Sequence, residues 1–127
     1  MADKEIKDIR ILLVDDEERF LSSARKVFRH QGIEILTADS GIMALKILQD
    51  NPVDAVILDV KMPGMNGMQT LEKIKTDHPD IQVILLTGHA TTESAEEGMR
   101  YGASGYLVKP VDLDELLQKA KSACGLV

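Results

Sequence analysis

Five short apolar runs alternate with five segments of helical periodicity, and this alternation restricts the fold more than any other feature of the sequence. The runs occupy residues 9–14, 34–38, 55–58, 82–86 and 106–108. Short apolar runs bounded by polar or turn-forming residues are typical of buried strands. Strands that alternate with helices form a parallel sheet with helices on both faces, joined by right-handed crossovers. The sequence therefore predicts an α/β fold with a doubly wound, five-stranded parallel sheet.

The helical segments between these runs are bounded by capping and turn-forming residues. The fourth helix is predicted over residues 91–101, and the last helix continues to about residue 122. The second helix is predicted to face inward with Ile42, Leu45 and Leu48. The candidate caps and stops are Gly32, Asp39 or Ser40, Asn51 with Pro52, Asn66, Gly102 and Asp112.

Length and composition indicate one globular domain. The chain has 127 residues, of which 44% are hydrophobic and 28% are charged, so it can bury a core and is not disordered. Aromatic residues are only 3% and the net charge is −6, which argues against affinity for nucleic acid or anionic membranes. We expect a single domain over residues 1–127, with no output domain in this chain.

The compartment predicted from the sequence is the cytoplasm. Cys124 is the only cysteine, which excludes an intramolecular disulfide and a zinc site built from several thiolates. Its helical spacing places it on the apolar face of the last helix, as a small core residue. The N-terminal segment lacks the apolar stretch of a signal peptide. No apolar run reaches the ~18 residues that are needed to span a bilayer.

Polar side chains follow four of the five predicted strands, at the point where each strand ends. They are Asp15 and Asp16, Asp59, Thr87, and Lys109. Ligands of open parallel sheets bind beyond the carboxyl ends of the strands, so we expect these side chains to lie together. The second strand supplies no comparable residue, as expected for a strand at the margin.

These residue types indicate a site for a hard cation and a phosphoryl group. Carboxylate oxygens without His or Cys favour Mg²⁺, with Mn²⁺ also suitable, and the cation would offset repulsion among the carboxylates. Lys109 adds a positive charge and Thr87 a hydrogen-bond donor for phosphoryl oxygens. Asp59 is then the candidate nucleophile, an ionised carboxylate that can form an acyl phosphate.

Four segments give the chain a family resemblance. They are residues 11–18 (ILLVDDEE), 57–67 (ILDVKMPGMNG), 86–90 (LTGHA) and 102–110 (GASGYLVKP). In this order they resemble the receiver domains of two-component response regulators, and the resemblance covers about residues 8–121. It implies a flavodoxin-like (βα)₅ fold with strand order 2-1-3-4-5.

The resemblance also implies roles for individual residues. Asp59 would accept a phosphoryl group from a sensor histidine kinase or a histidine phosphotransfer protein. Asp16, Asp59 and the backbone carbonyl of Lys61 would bind Mg²⁺ directly, and Asp15 would bind it through water. The Lys109-Pro110 peptide bond is expected to be cis.

The resemblance further implies a conformational switch. Thr87 would move toward the phosphoryl group and Tyr106 would rotate into the space that Thr87 leaves. The surface of the fourth helix, fifth strand and fifth helix would then change and control a partner, an output domain or a phosphorylation-dependent homodimer. The only catalysis implied is the chain's own phosphotransfer and dephosphorylation. As hypotheses, the Lys61 and His89 side chains control water access to the acyl phosphate, although solvated loop positions explain both equally well.

Three alternative functions can be compared with this interpretation. The chain could be the receiver portion of a larger transcriptional regulator or a hybrid kinase. A more remote alternative is a Mg²⁺-dependent phosphatase with an aspartate nucleophile, but such enzymes carry Asp-x-Asp after the first strand, whereas Asp59 follows the third. A nucleotide- or flavin-binding module is disfavoured, because neither Gly-x-Gly-x-x-Gly nor a P-loop occurs.

Overall fold

The computed structural model describes residues 8–61, 67–88 and 92–125, and the predicted cap Asn66 lies outside them. None of the helices in these ranges is long and apolar enough to cross a membrane. Within the described ranges, five strands alternate with five helices. The elements are β1 (Ile11–Val14), α1 (Glu18–His30), β2 (Ile35–Ala38), α2 (Gly41–Asp50), β3 (Ala55–Asp59), α3 (Gly67–Asp77), β4 (Gln82–Thr87), α4 (Thr92–Arg100), β5 (Gly105–Val108) and α5 (Leu113–Ala123).

The five strands form one parallel sheet in the order β2-β1-β3-β4-β5. The predicted fold class and strand order are therefore confirmed. β3 lies at the centre of the sheet and β2 lies at one margin. All carboxyl ends meet at one edge of the sheet, because every pair of neighbouring strands is parallel.

Two apolar clusters cover the two faces of the sheet. Ile11 and Leu13 of β1 belong to the cluster that includes α1 and α5, whereas Leu12 and Val14 belong to the cluster that includes α2 and α3. This division follows from the alternation of side chains along a strand. Because both faces are covered, β1 is apolar at every position rather than at every second position.

The inner face of α2 differs from the sequence prediction. Ala44 and Leu48 are buried, whereas Ile42 is 53% exposed and Leu45 is only partly buried. The helix begins after Ser40, whose hydroxyl oxygen accepts a hydrogen bond from the backbone N–H of Met43 at 3.1 Å. Positions 44 and 48 lie about one turn apart on the same side of the helix, and this side is buried in the core cluster.

Ser40, and not Asp39, is therefore expected to contribute the capping energy of α2. We expect Ser40→Ala to lower the free energy of unfolding by about 1 kcal/mol, since one N-terminal N–H loses its acceptor. The exposed Asp39 provides the control, and Asp39→Ala should cost less than half as much. Urea unfolding of both variants measures the difference, and equal losses would contradict the assignment.

Other predicted helix ends are confirmed, among them those at Gly102 and Asp112. Gly102 follows α4 with a φ of 98°, a left-handed conformation that glycine adopts without steric cost. Asp112 caps α5, because its side chain accepts a hydrogen bond from the N–H of Asp114 at 2.8 Å. Helix α5 ends at Ala123, and Cys124 packs partly buried against the α1–α5 cluster.

Candidate functional site

Four polar residues occupy the carboxyl ends of neighbouring strands. Asp15 follows β1, Asp59 ends β3, Thr87 ends β4 and Lys109 follows β5. Asp15, Asp59 and Thr87 are at most 5% exposed. Burying a polar side chain costs free energy unless the side chain has interaction partners. The partners of these residues therefore indicate which chemistry the site can support.

Three carboxylates form a compact acidic cluster, which we define as Asp15, Asp16 and Asp59. One oxygen from each lies within 4.8 Å of the others. Asp15 and Asp59 are buried, whereas Asp16 is exposed. An all-oxygen set of this size, open to solvent on one side, fits a hard divalent cation that retains water ligands.

Backbone N–H groups orient the two buried carboxylates of the acidic cluster. Oδ1 of Asp15 accepts a hydrogen bond from the N–H of Glu17 at 2.9 Å. Oδ1 of Asp59 accepts a hydrogen bond from the N–H of Lys61 at 3.0 Å. The N–H of Asp15 itself donates to the carbonyl of Ala38 at 3.0 Å, at the end of β2. The chain turns after the strands therefore hold these carboxylates in defined orientations.

Lys109 bridges the buried members of the acidic cluster. Its Nζ is 2.5 Å from Oδ2 of Asp15 and 3.5 Å from Oδ2 of Asp59, and only 19% of its side chain is exposed. Its backbone N–H donates to the carbonyl of Thr87 at 2.7 Å. The Lys109-Pro110 bond is cis, as the resemblance implied. Lys109 thus brings a positive charge from the end of β5 to the end of β3.

Burial raises the pKa of Asp59 above its ordinary value. The N–H of Lys61 and the charge of Lys109 act in the opposite direction, and the charge of Asp15 raises the pKa further. The net result is a raised pKa, so the protein groups around Asp59 do not fully compensate its buried negative charge. An added cation would supply the missing compensation.

The pKa of Lys109 is raised although burial alone would lower it. The hydrogen bond to Asp15 and the charges of Asp59, Asp15 and Glu17 outweigh the effect of burial. Lys109 is therefore a permanent cation at neutral pH. Three carboxylates share this one ammonium group, which leaves the site with an excess of negative charge.

The remaining candidate residues lie in different environments. Thr87 is buried at the end of β4, and its neighbour across the sheet is Val108. Tyr106 on β5 is 42% exposed. The side chain of Lys61 is exposed, while His89 lies outside the described residues.

Two residues at the site were not singled out from the sequence. Glu17, which directly precedes α1, lies 3.6 Å from Nζ of Lys109. Phe20 of α1 has its ring under the same Nζ, which lies 4.8 Å from the ring centroid. Both residues could have been predicted to lie near the site, because the segment that carries them starts at the carboxyl end of β1.

Comparison with known families gives a match over most of the chain. The family model described as the response regulator receiver domain matches residues 11–121. Regulatory protein AtoC of Escherichia coli K12 is 40% identical over 107 residues, which are 84% of this chain and 23% of that protein. A putative NtrX-like response regulator of Rickettsia bellii is 39% identical over 118 residues, covering 91% of this chain and 25% of that protein.

Solved structures share the same architecture. The CheY-like receiver domain protein of Methanospirillum hungatei superimposes with a TM-score of 0.87 at 31% identity, covering 92% of this chain and 94% of that chain. The chain spans about a quarter of the length of the two curated relatives. The similarity therefore concerns one domain of those longer proteins.

Proposed function

The chain belongs to the response regulator receiver domain family, and on that basis we propose that it is a phosphorylation-controlled signalling switch with Asp59 as the phosphoacceptor. The observation that carries the proposal is the placement of Asp59 at the end of β3, within the acidic cluster and 3.5 Å from Nζ of Lys109. A buried carboxylate beside a cation and two further carboxylates suits phosphoryl transfer better than it suits packing.

The proposed reaction forms an acyl phosphate. A carboxylate oxygen of Asp59 attacks the phosphorus of a phosphohistidine, forming a P–O bond as the P–N bond breaks. The bonding electron pair leaves with the imidazole nitrogen, which takes up a proton. Lys109 neutralises charge on the phosphoryl oxygens, and Thr87 donates a hydrogen bond to one of them.

The donor set of the acidic cluster fits Mg²⁺, and Mn²⁺ would also suit it. We propose that Asp16, Asp59 and the backbone carbonyl of Lys61 hold the cation directly, with Asp15 acting through water. The exposure of Asp16 and the two hydrogen bonds that Asp15 already accepts support this division. When bound, the cation offsets carboxylate repulsion and neutralises charge on the transferred group.

The proposed output is a change in the surface of α4, β5 and α5. Phosphorylation draws Thr87 inward and Tyr106 follows, so the equilibrium between two states shifts. Tyr106, Met99 and Val108 give this surface exposed apolar side chains at 42%, 48% and 36%. Their exposure supports a docking role for the surface, toward an output domain, a separate partner or a second copy of the chain.

We propose that the chain acts in the cytoplasm and that its upstream partner is a sensor histidine kinase or a histidine phosphotransfer protein. The similarity to much longer regulators supports the interpretation that the domain serves as the receiver portion of such a protein. The net charge of −6 supports protein partners rather than direct binding to nucleic acid or membranes. The proposed catalytic activity is limited to the chain's own phosphotransfer and dephosphorylation.

Metal dependence tests the proposal. We expect acetyl phosphate to add one phosphoryl group to the chain only when Mg²⁺ is present, as measured by intact mass. Mg²⁺ at about one hundred times its dissociation constant should also raise the free energy of unfolding by about 2.7 kcal/mol. Both effects should disappear in EDTA.

Asp16→Asn and Asp39→Asn form a matched pair for this test. Both aspartates are exposed and follow a strand, but only Asp16 belongs to the acidic cluster. Asp16→Asn should therefore raise the Mg²⁺ concentration needed for both effects, and Asp39→Asn should not. Phosphorylation in EDTA, or equal behaviour of the two variants, would contradict the proposed metal site.

A further inference from the structure

The Lys109 ammonium contacts an aromatic ring in addition to its carboxylate partners. Nζ of Lys109 lies over the ring of Phe20, 4.8 Å from the centroid. Phe20 belongs to the first turns of α1, and it is partly buried against the α1–α5 core cluster. The core therefore holds the ring in place, with one face toward the ammonium.

The carboxylates around Lys109 do not by themselves determine where its ammonium points. Asp15 and Asp59 draw it inward, at 2.5 and 3.5 Å, whereas Glu17 draws it toward solvent at 3.6 Å. The Glu17 side chain is 67% exposed. A lysine stem has several rotatable bonds, so its ammonium can follow the exposed carboxylate outward. The ring of Phe20 occupies a further side of the ammonium and attracts it electrostatically.

We propose that Phe20 is a positioning residue for Lys109. Its ring holds the ammonium beside Asp59 and keeps water from that side of the ammonium. The positive charge is therefore already in place beside Asp59 before a phosphoryl group arrives. The inference rests on the proposed role of Lys109 in phosphorylation. Phe20 itself does not touch the reacting atoms.

The ring, rather than its volume, is the feature that matters. Leucine can fill much of the same space against the core, but it lacks the negative ring face that attracts a cation. Tyrosine keeps that face. We expect Phe20→Leu to slow phosphorylation by acetyl phosphate about three- to thirtyfold, the range that cation–π attraction allows. Phe20→Tyr should restore most of the rate.

Phe28 offers a matched control on the same helix. It lies two turns further along α1 and is fully buried in the core. A purely structural effect would make Phe28→Leu the more harmful substitution in both stability and rate. A positioning role predicts opposite orders: Phe28→Leu lowers the unfolding midpoint more, and Phe20→Leu lowers the phosphorylation rate more. Rate losses that follow the losses of stability would overturn the proposal.

Two further measurements test the positioning role of Phe20 separately from the proposed role of Lys109 in phosphorylation. Ring currents should shift the NMR signals of the Lys109 ε-methylene protons upfield, and Phe20→Leu should abolish that shift. In a Lys109→Met background, Phe20→Leu should have no additional effect on the rate. An unshifted Lys109 signal, or full additivity, would overturn the positioning role. A wild-type rate in Lys109→Met would contradict the proposed function of Lys109 and the inference with it.

Discussion

The Asp59→Asn variant is expected to gain no phosphoryl group. In EDTA at neutral pH, its free energy of unfolding is expected to be higher than that of the wild type. The first effect follows because the amide cannot form the acyl phosphate. The second follows because the variant buries no uncompensated charge at a site that is 5% exposed. Removing such a charge should add about 1–2 kcal/mol of stability.

The pH dependence of the stability difference has a definite sign. The pKa of Asp59 in the folded chain is raised above 3.8. Its contribution to stability is therefore fully present below the ordinary pKa and is lost as the pH rises through the folded pKa. The advantage of Asp59→Asn over the wild type should be small in acid and should grow across that interval, as urea unfolding in EDTA would measure.

Mg²⁺ supplies the control for this prediction. The cation binds the folded wild type and stabilises it by mass action, whereas the variant has lost one of its proposed ligands. Adding Mg²⁺ should therefore reduce or reverse the difference in stability. A phosphoryl adduct on Asp59→Asn would contradict the proposed role of Asp59 as the phosphoacceptor. A wild type more stable than the variant in EDTA at neutral pH would contradict the uncompensated burial of its charge.

Gly67→Ala is expected to cause the largest loss of stability among single-methyl substitutions near the site. A Cβ at Gly67 would lie 2.3 Å from Cα of Val60 and 2.9 Å from the backbone oxygen of Asp59. These are backbone atoms, so no side-chain rotation can relieve the clash. We expect a loss of about 3 kcal/mol or more, at the upper end of the range for overpacked sites.

The clash also reaches the candidate site, because the atoms that must move belong to the residues that carry and follow the Asp59 carboxylate. Gly67→Ala should therefore weaken Mg²⁺ binding as well as stability. Gly88→Ala is the control, since a Cβ there would meet nothing within 4 Å although Thr87 is adjacent. Its free energy of unfolding should change by less than about 0.5 kcal/mol. Equal denaturation midpoints for the two variants would show that the close approach has no energetic consequence.

The strands and their polar ends were predictable from the sequence because each depends on local information. An apolar run identifies a strand, and the residue after it marks the strand's end. Parallel pairing then collects all such ends at one edge. Asp15, Asp59 and Lys109 could therefore be grouped in advance, although Asp15 and Lys109 are 94 positions apart.

The orientation of α2 was not predictable in the same way. Ile42, Met43, Leu45 and Leu48 are distributed around the helix, so more than one apolar face fits the spacing. The phase is determined by the packing of Ala44 and Leu48 into the core cluster that covers this face of the sheet. Packing against a neighbouring element is a tertiary property, and the helix sequence alone does not contain it.

The sequence by itself determined the order of strands and helices, the edge of the sheet at which the candidate site lies, and the residue types available there. Only the tertiary structure decided how the Lys109 ammonium is surrounded, with Asp15 nearest, Glu17 on the exposed side and Phe20 beneath it. The physical reason is range. Periodicity and strand ends are encoded by neighbouring residues, whereas a contact between the first helix and the end of the last strand exists only once the sheet has brought them together.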